Sequence, residues 1–157
     1  MLLIVWHSRT GASQALAEAA KAAAGDLARL IPAAAAEPDD LLNAQGYLFV
    51  CPENLGSMSG VMKELFDRCY YPLLGRIEGR PYASIIAAGS DGHGAQAQID
   101  RIVTGWRLRR VSEPLIANTH AQSAEEIMAR KTVPPAILAR AGELGAAMAN
   151  GLELGIF

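Results

Sequence analysis

Two short stretches of this chain bring together side chains suited to gripping a ligand. The first, His7-Ser8-Arg9-Thr10-Gly11-Ala12-Ser13, follows the apolar run Leu2–Trp6 and precedes an alanine-rich segment. A phosphate needs converging donors and the positive end of a helix dipole, and both are expected here. Ser8, Thr10 and Ser13 add hydroxyls, and Gly11 lets backbone approach closely. The spacing is not G-x-x-x-x-G-K-[ST] and not G-x-G-x-x-G, so this is neither a P-loop nor a dinucleotide fingerprint. It suits a monophosphate held by neutral donors. A plainer reading of the same residues is that Ser8 and Thr10 cap the helix.

The second stretch, Pro52-Glu53-Asn54-Leu55-Gly56-Ser57-Met58-Ser59-Gly60, follows the apolar run Tyr47–Cys51. Its small, polar and glycine residues suit one wall of a flat ring. A third loop, Gly89-Ser90-Asp91-Gly92-His93-Gly94, follows Tyr82–Ala88 and would supply another wall. All three loops sit where an apolar run gives way to a helical pattern. In an open α/β sheet, ligands bind at that end of the strands.

The elements that must position these loops can be read from periodicity. Leu2–Trp6, Tyr47–Cys51 and Tyr82–Ala88 predict strands buried on both faces. Leu27–Ile31 predicts a weaker strand broken by Pro32, and Pro52 should stop the strand that begins at Tyr47. Val111–Ala117 predicts a fifth strand, with Pro114 demoting part of it to an edge. Helices are predicted over Ala12–Gly25, Asp39–Asn43, Ala124–Arg130 and from Pro135 to about Gly151. Another starts after Ser59, whose hydroxyl can cap it, with Val61, Met62, Leu65, Phe66, Cys69 and Tyr70 on one face. Ile99, Ile102, Val103 and Trp106 stripe a further helix. The alternation predicts an α/β three-layer sandwich around a five-stranded parallel sheet in the flavodoxin-like order 2-1-3-4-5.

At this point the residues resemble a known family. S-x-T-G-x-S over Ser8–Ser13 is similar to the phosphate loop of flavodoxins. P-E-N-L-G-S-M-S-G-V-M-K-E-L-F-D-R, residues 52–68, resembles the corresponding segment of flavodoxin-like NAD(P)H-dependent FMN and quinone reductases. The resemblance runs from Met1 to about Ala117. It implies FMN as cofactor, with the phosphate on Ser8, Arg9, Thr10, Gly11, Ala12 and Ser13. It places the ring against Pro52, Glu53, Asn54, Leu55 and Gly56, and against Ser90, Asp91, Gly92, His93 and Gly94. NADH or NADPH would be the hydride donor and a quinone or other small molecule the acceptor. Two departures bear on function. Leu55 stands where many relatives carry an aromatic or longer side chain, and the third loop lacks the tyrosine that flavodoxins stack on the outer ring face. An open face favours hydride exchange with small molecules over a shielded electron carrier docking to a protein partner. A carrier, and a non-catalytic flavin-binding module, stand as the alternatives.

Bulk properties bound the rest. At 157 residues and 51% hydrophobic content, one domain spanning 1–157 with its own core is expected. A formal net charge of -2 argues against non-specific nucleic-acid binding and against a strongly acidic docking surface. No membrane span or targeting segment is read, so a cytoplasmic location is expected. Cys51 and Cys69 are expected as inert core thiols. His7, His93 and His120 are too scattered for a metal site, and His93 is the histidine expected nearest ligand. No side chain is assigned an acid or base role, because the flavin carries the chemistry. Arg107, Arg109 and Arg110 form a basic cluster, read as a solvated face that could also attract NADPH phosphates. The family resemblance, and no residue of the chain, implies a homodimer, because relatives pair near the flavin.

Overall fold

In the computed structural model, which describes residues 1–157, strands and helices alternate. The chain runs through β1 (Leu2–Trp6), α1 (Ala12–Ala24), a 3-10 turn, β2 (Ala28–Pro32), α2 (Pro38–Leu42) and β3 (Gly46–Asn54). It continues with β4 (Ser57–Met58), α3 (Gly60–Leu73), β5 (Pro81–Ala88) and α4 (His93–Gly105). It closes with β6 (Arg109–Arg110), β7 (Leu115–Asn118), α5 (Ala124–Met128) and α6 (Pro135–Glu153).

Alternation along the strands decides the layering, because successive side chains point to opposite faces. Leu3, Val5, Tyr47, Phe49, Cys51, Tyr82 and Ile86 face one side, where they meet Met62, Leu65, Phe66 and Cys69 of α3 and Ile99 and Val103 of α4. Leu2, Ile4, Leu48, Val50, Ala83 and Ile85 face the other, against Leu16, Ala17 and Ala20 of α1 and Ala141 and Met148 of α6. Strands apolar on both faces belong in a parallel sheet covered twice. The result is the three-layer sandwich expected from the sequence.

Strands β2, β1, β3 and β5 lie side by side and parallel. The fifth position is shared. β6 pairs with the start of β5 (Pro81↔Arg109) and β7 with its end (Ile85↔Leu115). The single strand expected over Val111–Ala117 is split because Pro114, just before β7, has no N–H to give a ladder. With β5 counted fourth, the order is the expected 2-1-3-4-5. β3 departs from expectation at its other end. Pro52 does not stop it: it occupies the last rung beside β5, opposite Ala87, and its carbonyl accepts the Ser59 N–H at 3.1 Å. The chain stays extended to Asn54 and folds back as β4, with Glu53 opposite Met58 and Asn54 opposite Ser57.

Two other readings find their place here. Cys51 and Cys69 are buried and unpaired, and burial pushes their thiols up to about 12 and about 11. Arg109 and Arg110 sit on β6 at the amino end of β5, and Arg107 and Arg110 are tied to Glu78 and Asp100. Six residues of extended strand, about 20 Å, separate them from the carboxyl end of β5. They are remote from any ligand bound there. No helix is long and apolar enough to cross a membrane.

Candidate functional site

The first loop leaves β1 at Trp6, and His7 N–H continues the ladder to Val50 carbonyl at 3.0 Å. Ser8 does not cap α1; its hydroxyl accepts the Gly11 N–H at 3.0 Å and closes a local turn. The helix N-cap is Gly11 itself, at φ 97 and without a side-chain cap. The first N–H groups of α1 are therefore not satisfied from a cap. Ser13, fully buried in the first turn, has a hydroxyl with no hydrogen-bond partner. An orphaned buried hydroxyl is costly unless a ligand completes it. Beside an uncapped helix end it fits an anion, and the residues present fit a phosphate group.

The second loop is the β3–β4 hairpin, with Leu55 and Gly56 at its tip at φ 53 and 72. Both central positions of this tight turn need positive φ, which leucine adopts only at a cost. Its side chain is fully exposed. The hairpin is pinned to α4 from two sides. Glu53 accepts the Gly92 N–H at 2.9 Å on Oε1 and the Ala95 N–H at 3.0 Å on Oε2. Gln98 Oε1 accepts from the Ser57 hydroxyl at 3.0 Å and the Met58 N–H at 2.9 Å. Glu53 thus caps α4 across the chain, where a negative charge is favoured. Close approach has a further requirement: a Cβ on Gly94 would collide with the Gly56 carbonyl.

Ser59 is not the hydroxyl cap of α3 that the sequence suggests. The α3 N-terminus has no side-chain cap, because Ser59 Oγ lies 2.8 Å from His7 Nδ1 and joins the first loop to the second. Burial first, then the Arg9 charge, lowers the His7 pKa. The unfolded chain then takes the proton more readily. Stability from this term is complete above the ordinary value of 6.5 and falls as pH drops through the lower folded value. Urea unfolding compared above pH about 7 and below about 6 is expected to show this acid loss reduced in His7→Asn. An unchanged pH slope would remove His7 from the account.

The three loops meet around a cleft of about 460 Å³ at the carboxyl ends of the strands, within the size range of small-molecule sites. Of the expected residues, Ser8, Arg9, Thr10, Ala12, Ser13, Pro52, Glu53, Asn54, Leu55, Gly56 and Ser90 line it. Gly11 contributes backbone at the helix end. Asp91, Gly92, His93 and Gly94 do not line it. The chain turns into α4 at His93, so Asp91 and His93 point outward and bond each other at 2.6 Å. That contact holds the exposed Asp91 carboxyl below its usual range. Gly92 is taken by Glu53, and Gly94 lies under the hairpin tip.

The cleft also has a wall the sequence reading did not assign. Thr119, Ala121, Ile127, Met128 and Lys131 line it, together with Ala87, Ala88 and Gly89. The stretch from Thr119 to Lys131 crosses from the third loop to the first. Thr119 N–H donates to Ala88 carbonyl at 2.7 Å, and Lys131 N–H donates to Thr10 carbonyl at 2.8 Å. Between these ties, α5 has no buried residue. It stands on a capping box formed by Ser123 and Glu126, and on Lys131 Nζ, which donates to the Glu126, Ile127 and Ala129 carbonyls. The capping box was legible as S-A-E-E. Where the helix would lie was not.

Against known proteins, the family described as NADPH-dependent FMN reductase matches residues 31–112. A flavodoxin from Aquifex aeolicus is 30% identical over 107 residues, which is 66% of this chain and 58% of that protein. The match thus spans little more than half of the relative's length. A solved archaeal flavodoxin superposes with a TM-score of 0.76 at 15% identity, covering 97% of this chain and 98% of that one. A flavodoxin-like, WrbA-like protein from Agrobacterium tumefaciens gives 0.71 at 19%, covering 98% and 97%. At those identities the two structures speak to the fold alone.

Proposed function

Because the chain belongs to the NADPH-dependent FMN reductase family, we propose that it binds FMN in this cleft and passes hydride equivalents from NADH or NADPH to a quinone or another small acceptor. The observation that carries this reading is the composition of the cleft wall: it contains no phenylalanine, tyrosine or tryptophan. A ring seated there keeps a face that a nicotinamide and then a small acceptor can reach in turn. The walls are also not acidic. Arg9 and Lys131 line them, and the Glu53 carboxylate is engaged by two backbone N–H groups.

When bound, FMN supplies the redox chemistry, taking up hydride and releasing electrons. The protein's share is placement. The uncapped start of α1 and the Ser8, Thr10 and Ser13 hydroxyls would hold the phosphate. The hairpin residues Glu53–Gly56 and the backbone at Gly89 and Ser90 would hold the ring between them. Ile127 and Met128 would keep water from the side facing α5. No side chain is asked to move a proton.

Ser13→Ala separates holding the cofactor from holding the fold. Removing an unsatisfied buried hydroxyl should leave apo stability unchanged or slightly raised, while FMN affinity falls about tenfold. Calorimetric titration and thermal melts of the same samples check both halves. An equal loss of stability would place the hydroxyl in the core rather than the site.

The decisive experiment purifies the protein, releases and identifies any flavin, and follows NADH and NADPH oxidation with and without a quinone. One FMN per chain with acceptor-dependent oxidation is expected. FMN binding without such oxidation would leave the electron-carrier reading, which the flavodoxin relative favours. A protein that ignores FMN would overturn the site.

A further inference from the structure

The arginine at position 130 lies outside every motif that the family resemblance covers. Its guanidinium lies against the first loop, with Cζ and Nη1 3.3 Å from where a Cβ on Gly11 would stand, although Arg130 does not itself line the cleft. Gly11 is the N-cap of α1, so the cation is laid against the end of a helix that has no side-chain cap. The neighbouring residue fixes this placement, because Lys131 N–H is bonded to Thr10 carbonyl. Arg130 takes no carboxylate partner, a state it shares with Arg9, Arg101, Arg109 and Arg140, so what sets it apart is its place against Gly11. The acidic residue of α5 nearest in sequence that is engaged, Glu126, accepts the Gln122 and Ser123 N–H groups at the far end of that helix.

A second, independent observation points to the same anion. The Ser13 hydroxyl, completely buried and without a partner, lines the cleft in the first turn of α1. The guanidinium lies against Gly11 at the N-terminal end of the same helix. Guanidinium is the side-chain group best matched to a phosphate, because its planar fork can donate two bonds to two oxygens.

We propose that Arg130 closes the phosphate subsite from the α5–α6 connection and sets the preference for a phosphorylated ligand over its dephosphorylated form. This rests on the FMN reading above for the identity of the ligand, but not for the existence of an anion site. Arg130 is a specificity-determining residue here: it touches the phosphate end and leaves the ring contacts alone. The neutral-donor loop expected from the sequence becomes a loop closed by a cation from the opposite wall.

The test titrates wild type, Arg130→Gln and Arg130→Lys with FMN, riboflavin and inorganic phosphate by calorimetry, at low and high salt. Arg130 is exposed and bonded to no other residue by its side chain, so circular dichroism should show all three folded alike. Arg130→Gln is expected to weaken FMN about 10- to 100-fold, leave riboflavin unchanged and flatten the salt dependence of FMN binding. Arg130→Lys should recover part of the loss. Equal losses for FMN and riboflavin, or no loss for either, would overturn the clamp while leaving the cofactor reading intact. Phosphate binding that depends on Arg130, in a protein that binds neither flavin, would keep the clamp and overturn FMN. Phosphate and FMN binding that both ignore Arg130 would sink the proposal outright.

Discussion

Glu53→Ala is expected to lower the unfolding free energy by about 2 kcal/mol and to weaken FMN binding by at least about tenfold. The Glu53 carboxylate joins two of the three loops, accepting the Gly92 and Ala95 N–H groups at the start of α4. Without it, two donors at a helix N-terminus lose an ionised acceptor, and charged hydrogen bonds of this kind are the stronger ones. The hairpin would keep its hold on Gln98, so the variant should fold, with its ring wall loosened. Glu53→Gln keeps one acceptor and should fall between. Denaturant titration gives the stability and flavin titration the affinity. A variant that loses affinity but no stability would leave Glu53 its ligand contact and remove it as a joint between loops.

Gly145→Val should cost more, about 3 kcal/mol, and for a reason far from the cleft. A Cβ at position 145 would stand 2.7 Å from the Cα and 2.8 Å from the carbonyl carbon of Ala20. These are backbone atoms of α1, so no side chain can swing away and the two helices must part. Because α1 begins at the first loop, where the phosphate is proposed to bind, its displacement should carry through to flavin binding as well. Gly142→Ala, on the same helix, is the built-in contrast. Its new methyl would meet Ala23 Cβ at an ordinary 3.4 Å, so the gain in helix propensity should leave stability unchanged or raise it by up to about 1 kcal/mol. Thermal melts of the two variants side by side decide the matter. Similar destabilisation in both would mean that α6 is sensitive to any added side chain and not to the Ala20 contact.

What could be read in advance follows the range of the forces involved. The buried strands and the helix faces were legible because each depends on periodicity within one segment: Leu2–Trp6 and the Val61–Tyr70 stripe needed no partner to be recognised. The first two loops were legible because their residue types are themselves the signal. The hairpin return through Ser57 and Met58 was not. Its turn carries Leu55 where positive φ normally calls for glycine or asparagine, and Pro52 argued for an earlier stop. The placement of Asp91 and His93 outside the cleft, with Glu53 taking the Gly92 N–H, and the diversion of Ser59 to His7 depend on contacts between distant segments that no local pattern encodes. The same holds for Thr119–Lys131. Its capping box and its lysine are visible in one dimension, while its role as a wall exists only once β7 has been laid beside β5.

That wall has a kinetic meaning. A five-residue helix with no buried residue brings almost no hydrophobic free energy of its own, and segments of that kind open locally at a small fraction of the global unfolding cost. Thr119 and Lys131 tie its ends through polar bonds that water can replace. The exposed Ile127 and Met128 gain packing only against whatever occupies the cleft. If FMN binds there as proposed, affinity would be shared with the rest of the site, while residence time would follow the opening of this one stretch of chain. A flavin beneath it would exchange with the free pool at the pace at which α5 lifts, making the cofactor a visitor with a set dwell time and not a permanent fixture.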